Sequence, residues 1–256
     1  MTAEPRGMAV VSNRMIRPDV GRVWFRSRAL ARQARPGQFL HLRVPDANAA
    51  ILRRPFSIHD VVGDRIAILY RVVGDGTRAL SALSAGAPVD VIGPLGIPFR
   101  VMPSRPPLVV AGGIGIAPLQ FLLRRMTARG LHPRLLYGCL TRSALLPHLA
   151  VTRAVTTDDG SCGGRGLVTA ALAREIGRRP GAAVYACGPW PMLRETARLC
   201  RERGVPCQVS LEARMACGVG ACQGCAVKGT AGYLTACHDG PVFDARTIDW
   251  DQGVAV

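Results

Sequence analysis

Four cysteines near the carboxyl end carry the strongest chemical signal in this 256-residue chain. Cys217, Cys222 and Cys225 form a C-x4-C-x2-C run, and Cys237 follows after a gap. With this spacing one wrapped loop presents thiolates to a [2Fe–2S] cluster. Gly218, Gly220 and Gly224 let the intervening backbone bend and bring N–H groups near sulfur, where such bonds help set a reduction potential. Zinc is the structural alternative, but its ligands usually come as two short pairs, whereas here three sit in one loop. Disulfides are disfavoured, because nine cysteines is an odd number, they cluster at one end, and Met1–Val10 reads as no export signal. Cys139, Cys162, Cys200 and Cys207 fall outside the pattern and read as ordinary small residues.

A second group of residues suits a flavin. Arg54-Pro55-Phe56-Ser57 offers a cation, an aromatic ring and a hydroxyl in order. Arg54 can pair with a pyrophosphate, Phe56 can pack on the isoalloxazine ring, and Ser57 can hydrogen-bond near the reactive N5. Leu69-Tyr70-Arg71 adds an aromatic and a cation, and Gly74-Asp75-Gly76-Thr77 a tight turn with N–H groups for phosphate. A turn entering a strand would explain the tetrapeptide equally well.

A third group suits a nicotinamide dinucleotide. Val109 to Pro118 reads as strand, glycine turn and helix start, with Gly112, Gly113 and Gly115 in the turn. It departs from G-x-G-x-x-G because Pro118 stands in the third glycine's place, yet the glycines can still admit a pyrophosphate to a helix N-terminus. A glycine-rich packing turn is the alternative. Ala186-Cys187-Gly188-Pro189 closes a later strand, and open parallel sheets bind ligands at strand carboxyl ends. Gly188 and Pro189 are expected to contact the dinucleotide, with Cys187 beside the nicotinamide ring. Ser57 and Cys187 are thus the expected catalytic residues. Thr157-Asp158-Asp159-Gly160-Ser161 either shapes the same crevice or is a solvated turn.

Three scaffolds are needed to hold these groups. Residues 1–102 predict an antiparallel β-barrel, from short apolar segments such as Val20–Phe25, Phe39–Val44, Arg65–Val73 and Pro88–Ile92 between Gly, Pro and Asp signals, with a helical turn over Thr77–Leu83. Residues 103–206 alternate strand and helix and predict a parallel α/β sheet. The strands are Leu108–Ala111, Arg134–Tyr137, Ala150–Thr156 and Ala183–Ala186, and the helices Pro118–Arg129, Val168–Arg174 and Met192–Arg203. Residues 207–256 form a compact cysteine- and glycine-rich module.

The formal charge is +16 and almost all of it is arginine, since Lys228 is the sole lysine. The arginines are scattered and no basic run interleaves with aromatics, so nucleic acid is not expected as a partner. Arginine-biased solvated faces, phosphate-bearing cofactors or an acidic partner subunit account for the excess. No apolar run reaches the ~20 residues of a membrane span, so a cytoplasmic location is expected.

Taken together, these residues resemble the ferredoxin–NADP reductase superfamily, and within it the electron-transfer subunits of class 1B dihydroorotate dehydrogenase. The resemblance covers nearly the whole chain. It is carried by Arg54 to Ile58, Tyr70 to Thr77, Gly93-Pro94-Leu95-Gly96, Thr157 to Ser161 and Ala186 to Pro189, and above all by Ser210 to Gly218 and Cys237 to Phe243. It implies FAD contacts at Arg54, Pro55, Phe56, Ser57, Leu69, Tyr70, Arg71, Gly76 and Thr77, and a cluster on the four cysteines. It also implies a separate FMN-containing catalytic subunit that oxidises dihydroorotate, in a heterotetramer of two plus two chains. Electrons would then pass through the [2Fe–2S] cluster and FAD to NAD+. FAD must stand between, because a cluster passes single electrons while nicotinamide takes only a hydride. One competing reading is the flavin/[2Fe–2S] reductase subunit of another NAD(P)H-linked complex, of the ferredoxin:NADP+ oxidoreductase or hydrogenase type. Some of those carry aspartate where Cys217 stands here. Another is a non-catalytic iron–sulfur module, against which the intact flavin and nicotinamide turns argue.

Overall fold

Apolar residues of the first hundred positions close into a barrel. A computed structural model describes residues 6–44, 52–146 and 153–252. Within it, β1 (Arg6–Arg17), β2 (Val20–Arg26), β3 (Phe39–Arg43), β4 (Arg54–Val62), β5 (Arg65–Arg71) and β6 (Pro88–Leu95) form a closed antiparallel barrel in the order β1-β2-β5-β4-β3-β6. Val23, Phe25, Leu40, Leu42, Ile58, Ile66 and Ile68 fill its interior. Helix α1 (Arg28–Gln33) is capped by Ser27, and α2 (Asp75–Ala82) replaces the helical turn expected over Thr77–Leu83. The helix begins earlier because the Thr77 hydroxyl accepts the N–H groups of Val73 and Gly74, which fixes the turn before it. Arg54–Ser57 is the opening of β4 rather than a free turn.

The second unit is a sheet in the order β10-β9-β8-β7-β11-β12-β15, in which β15 is Val242–Asp244. It contains β7 (Pro107–Gly112), β8 (Arg134–Cys139), β9 (Arg153–Thr157), β10 (Gly164–Arg165), β11 (Ala183–Cys187) and β12 (Cys207–Ser210), all parallel. Alternation along β7 sets the layers, since successive side chains point to opposite faces. Val109 and Ala111 pack under α3 (Ile116–Thr127), while Leu108 and Val110 join the core beneath α4 (Val168–Arg178) and α5 (Trp190–Glu202). Of the strand expected over Ala150–Thr156, residues 150–152 lie outside the described residues, as do positions 1–5 of the amino-terminal segment.

The cysteine-rich module adds a hairpin, β13 (Ala226–Gly229) with β14 (Gly232–Thr235), and β15 (Val242–Asp244), which pairs antiparallel with β12. The large sheet therefore runs across the boundary expected at 206/207. Cys207–Ser210 is a strand of that sheet, and the module returns a strand to its edge. The physical reason is a shared core: Val209, Cys225, Val227, Cys237 and Phe243 are buried with Val184 and Leu193.

The barrel docks on the sheet through β4 and α3. Asp60 accepts two hydrogen bonds of 2.7 Å from the Arg124 guanidinium, and His59 Nδ1 donates to the Ala117 carbonyl at 3.0 Å. Phe121 of α3 is buried in the barrel's core. Among the described residues no helix is long and apolar enough to cross a membrane.

Candidate functional site

A cavity of about 680 Å³ opens where the three units meet, a size ordinary for cofactor sites. Every residue expected at the flavin lines it: Arg54, Pro55, Phe56, Ser57, Leu69, Tyr70, Arg71, Gly76 and Thr77. Strands β4 and β5 are antiparallel neighbours, so their ends bring the Arg54 and Tyr70 segments to one mouth. Phe56 and Tyr70 meet edge to face with centroids 6.5 Å apart. The Tyr70 hydroxyl donates to Asn13 Oδ1 at 2.9 Å, and Asn13 in turn donates to the carbonyls of Leu80 and Leu83. The aromatic wall is thereby tied to the carboxyl end of α2. The Arg54 guanidinium lies directly over Gly76, where any Cβ would overlap it. Arg54 Nη1 donates to the Leu52 carbonyl at 3.1 Å, but Arg54 makes no ion pair among the described residues, so the rest of its fork is available to an anion.

The remaining wall comes from residues that local motifs did not single out for the flavin. Ile114 and Ala117 belong to the glycine turn and the start of α3, and Phe39 to β3. Leu211 to Met215 and Pro241 come from the cysteine-rich module. Glu212 is exposed and lines the cavity. The surrounding protein raises the pKa of its carboxyl, with Arg71 opposing. Leu211 to Met215 and Pro241 lie in the stretches that carried the family resemblance, but nothing local in them pointed to the flavin.

The two glycine turns sit at the carboxyl ends of β7 and β11, neighbouring strands between which the sheet's chain order reverses. Ligands of such sheets bind at this switch point. Gly112 and Gly188 approach each other at the backbone, with Pro189 and Met192 against Gly112, and a Cβ on Gly115 would overlap the Cys187 carbonyl. Close packing of the turns thus uses Gly112, Gly115 and Gly188, while Gly113 (φ +53) faces open space. The Cys187 thiol is buried, and burial, together with the nearby Glu212 carboxylate, pushes its pKa well up; Ser210 and the Gly188 backbone oppose that. Asp158 and Asp159 lie in an exposed turn, in which Asp159 accepts from the Ser161 N–H and hydroxyl.

The four module cysteines come together as two pairs. Cys225 and Cys237 have sulfurs 3.2 Å apart, and Cys217 lies against Cys222. The Cys222 N–H donates to Cys217 Sγ at 3.4 Å, the Gly220 N–H to Cys237 Sγ at 3.1 Å, and the Cys237 N–H to Cys225 Sγ at 3.4 Å. Among the described residues no three His, Cys, Asp or Glu side chains gather as ligands of a single ion. Two thiol pairs wrapped in N–H donors instead suit a two-iron cluster. Burial works against ionisation of Cys217, yet the N–H groups of Val219 and Cys222, the Cys222 thiol and the Ala221 N–H bring it down to about 6. A thiol poised to ionise fits a metal ligand, which must be a thiolate. Cys222 is exposed while Cys225 and Cys237 are buried, so one edge of the site faces outward. Cys139, Cys200 and Cys207 are buried thiols and Cys162 is half-buried.

Residues 212–249 match the family described as the iron-sulfur cluster binding domain of dihydroorotate dehydrogenase B. Over 249 residues the chain is 39% identical to the dihydroorotate dehydrogenase B (NAD(+)) electron transfer subunit of Desulforamulus reducens, covering 93% of this chain and 95% of that one. It is 38% identical to the protein of the same name from Caldanaerobacter subterraneus subsp. tengcongensis, with 93% and 96% covered. Among solved structures, a chain of an NADH-dependent reduced ferredoxin-NADP oxidoreductase superposes with a TM-score of 0.84 at 31% identity, over 96% of this chain and 90% of that one. The ferredoxin reductase of carbazole 1,9a-dioxygenase (TM-score 0.65, 23% identity, 79% and 67% covered) shares the fold.

Proposed function

The chain belongs to the family of dihydroorotate dehydrogenase B electron transfer subunits, and from that premise we propose that it carries electrons from dihydroorotate oxidation in a partner subunit to NAD+, in pyrimidine biosynthesis. The observation that supports this most is the single cavity walled by flavin-type residues, the nicotinamide turn and the segment leading into the cluster loop. Bound there, FAD would collect single electrons from the cluster and pass them on as a hydride.

The chain's own residues have separable tasks in this reading. Arg54, over Gly76, holds the pyrophosphate with its fork, and the N–H groups of Asp75 and Gly76 assist, since those of Gly74 and Thr77 are taken up within the turn. Phe56 and Tyr70 pack against the ring system, with Pro55, Leu69 and Arg71 completing the wall, and Ser57 offers its hydroxyl near N5. Gly113 and the packed turns at Gly112, Gly115, Gly188 and Pro189 form the dinucleotide ledge. Cys187, at the end of β11, is the catalytic residue proposed beside the nicotinamide ring, its thiol kept neutral by burial. Cys217, Cys222, Cys225 and Cys237 would ligate the cluster, and the exposed Cys222 and Val219 beside it would meet the partner.

The partner in this proposal is an FMN-containing catalytic subunit in a two-plus-two heterotetramer in the cytoplasm. The three working units are residues 1–102 for FAD, 103–206 for NAD and 207–256 for the cluster, the last also lending β12 and β15 to the sheet of the second. The rival, a subunit of an NADH-linked ferredoxin:NADP+ oxidoreductase, has the high superposition in its favour but the lower identity, 31% against 39%. One experiment separates them. The chain is co-expressed with a candidate FMN-containing catalytic subunit, and dihydroorotate-dependent NAD+ reduction is measured. Turnover supports the proposal. Ferredoxin-dependent NADP+ reduction without dihydroorotate turnover supports the rival, and a chain that binds no FAD refutes both.

A further inference from the structure

His41 is a buried imidazole with no hydrogen bond to either ring nitrogen. Buried polar groups are almost always paired, so such a group needs a physical reason. Its surroundings supply one. On β3 it pairs across the ladder with Pro55 of the flavin strand. Two residues earlier on the same face, Phe39 lines the flavin cavity, shares a core with Cys225 and Cys237, and meets the His41 ring edge-on at 6.5 Å. On its other side the ring abuts the cluster loop. A Cβ on Gly218, which sits at φ +72, would lie 2.5 Å from His41 Nδ1. The backbones of Arg53 and Cys217 flank the ring without completing a bond to it. An imidazole always carries at least one ring N–H, so a donor stands between the flavin strand and the first cluster ligand.

We propose that His41 is a positioning residue for cluster-to-flavin electron transfer: its ring braces the Cys217–Gly218 turn against the flavin strand, and its N–H bonds to the cluster loop when the cluster is seated. This rests on the cluster reading of the four cysteines. A hydrogen bond to the ligand set stabilises the more negative, reduced form and raises the potential. If the bond is stronger to the reduced than to the oxidised cluster by the upper worth of an ordinary net hydrogen bond, its loss changes that equilibrium by about tenfold, which for a one-electron couple is about 59 mV.

The test uses the full chain with reconstituted cluster and flavin, comparing His41→Phe, which keeps a ring but no N–H, with His41→Gln, which keeps an N–H donor. Iron and sulfide content, the EPR spectrum of the reduced cluster and its midpoint potential are measured. His41→Phe is expected to lower the potential by about that tenfold equivalent and to alter the EPR g values, and His41→Gln to restore both at least in part. The proposal is overturned if the Phe variant matches wild type in potential and spectrum. It is overturned equally if Phe and Gln variants lose the cluster alike, since packing would then explain the residue. A wild-type chain that takes up no cluster would sink the reading of the cysteines instead.

Discussion

Replacing His59 with glutamine should remove an acid-sensitive component of stability at the seam between barrel and sheet. His59 is almost fully buried against α3, and its pKa falls from 6.5 to about 4. Burial is the main cause; the Ala117 carbonyl and Asp60 oppose it, and the Arg22 and Arg124 charges add to it. The folded chain thus refuses a proton that the unfolded chain takes up below pH 6.5. Stability from this residue is whole above that pH and is lost as pH falls from 6.5 toward 4, where the loss levels off. At ~1.36 kcal/mol per pH unit, the full loss approaches about 3 kcal/mol, and at pH 5 it is about 2 kcal/mol. Glutamine can still donate to the Ala117 carbonyl but cannot titrate. Urea unfolding of wild type and His59→Gln at pH 7.5 and pH 5.0 measures the difference. Other titrating groups act on both proteins alike, so the variant should lose about 2 kcal/mol less than wild type between the two conditions. Equal losses would refute the argument, because they would mean that His59 is protonated in the folded protein or that the seam is already open at pH 5. Function is tied to the same contact, since Ala117 lines the flavin cavity.

Arg54→Ala should cost roughly 1.5–3 kcal/mol of flavin binding, the worth of hydrogen bonds to a charged group. It should appear as flavin lost on gel filtration, and unchanged flavin content would count against a phosphate role. Gly115→Ala meets the rigid Cys187 carbonyl at an ordinary φ, so the penalty is purely steric. A loss of about 1–3 kcal/mol in urea unfolding is expected, with a raised KM for NADH; a neutral result would mean the turns are not closely packed. Cys222→Ser should lose the cluster's visible absorbance and dihydroorotate-driven NAD+ reduction, while NADH still bleaches the flavin. Loss of that bleaching as well would show that the order of carriers is wrong.

The cluster and much of the flavin cavity were legible in the chain itself. Ligands on one wrapped loop are separated by few residues, and glycine spacing limits how such a loop can bend, so Cys217 to Cys225 could be read locally. Arg54–Ser57 and Leu69–Arg71 lie on adjacent antiparallel strands, whose pairing follows from short turns. The glycine turns were visible too. Their packing against each other at Gly112, Gly115 and Gly188 was not, because it depends on β7 and β11 being neighbours despite their separation in sequence. The same holds for Glu212 and Met215 in the flavin wall, for His41 beneath Gly218, and for β12 and β15 completing a sheet that composition divides at 206/207. Local spacing determines which side chains can share a loop or a strand end. Only the burial of apolar faces, which is non-directional and summed over the whole chain, decides which loops and strand ends meet. The kinds of electron carrier were therefore set by the sequence, and their meeting place by the tertiary fold.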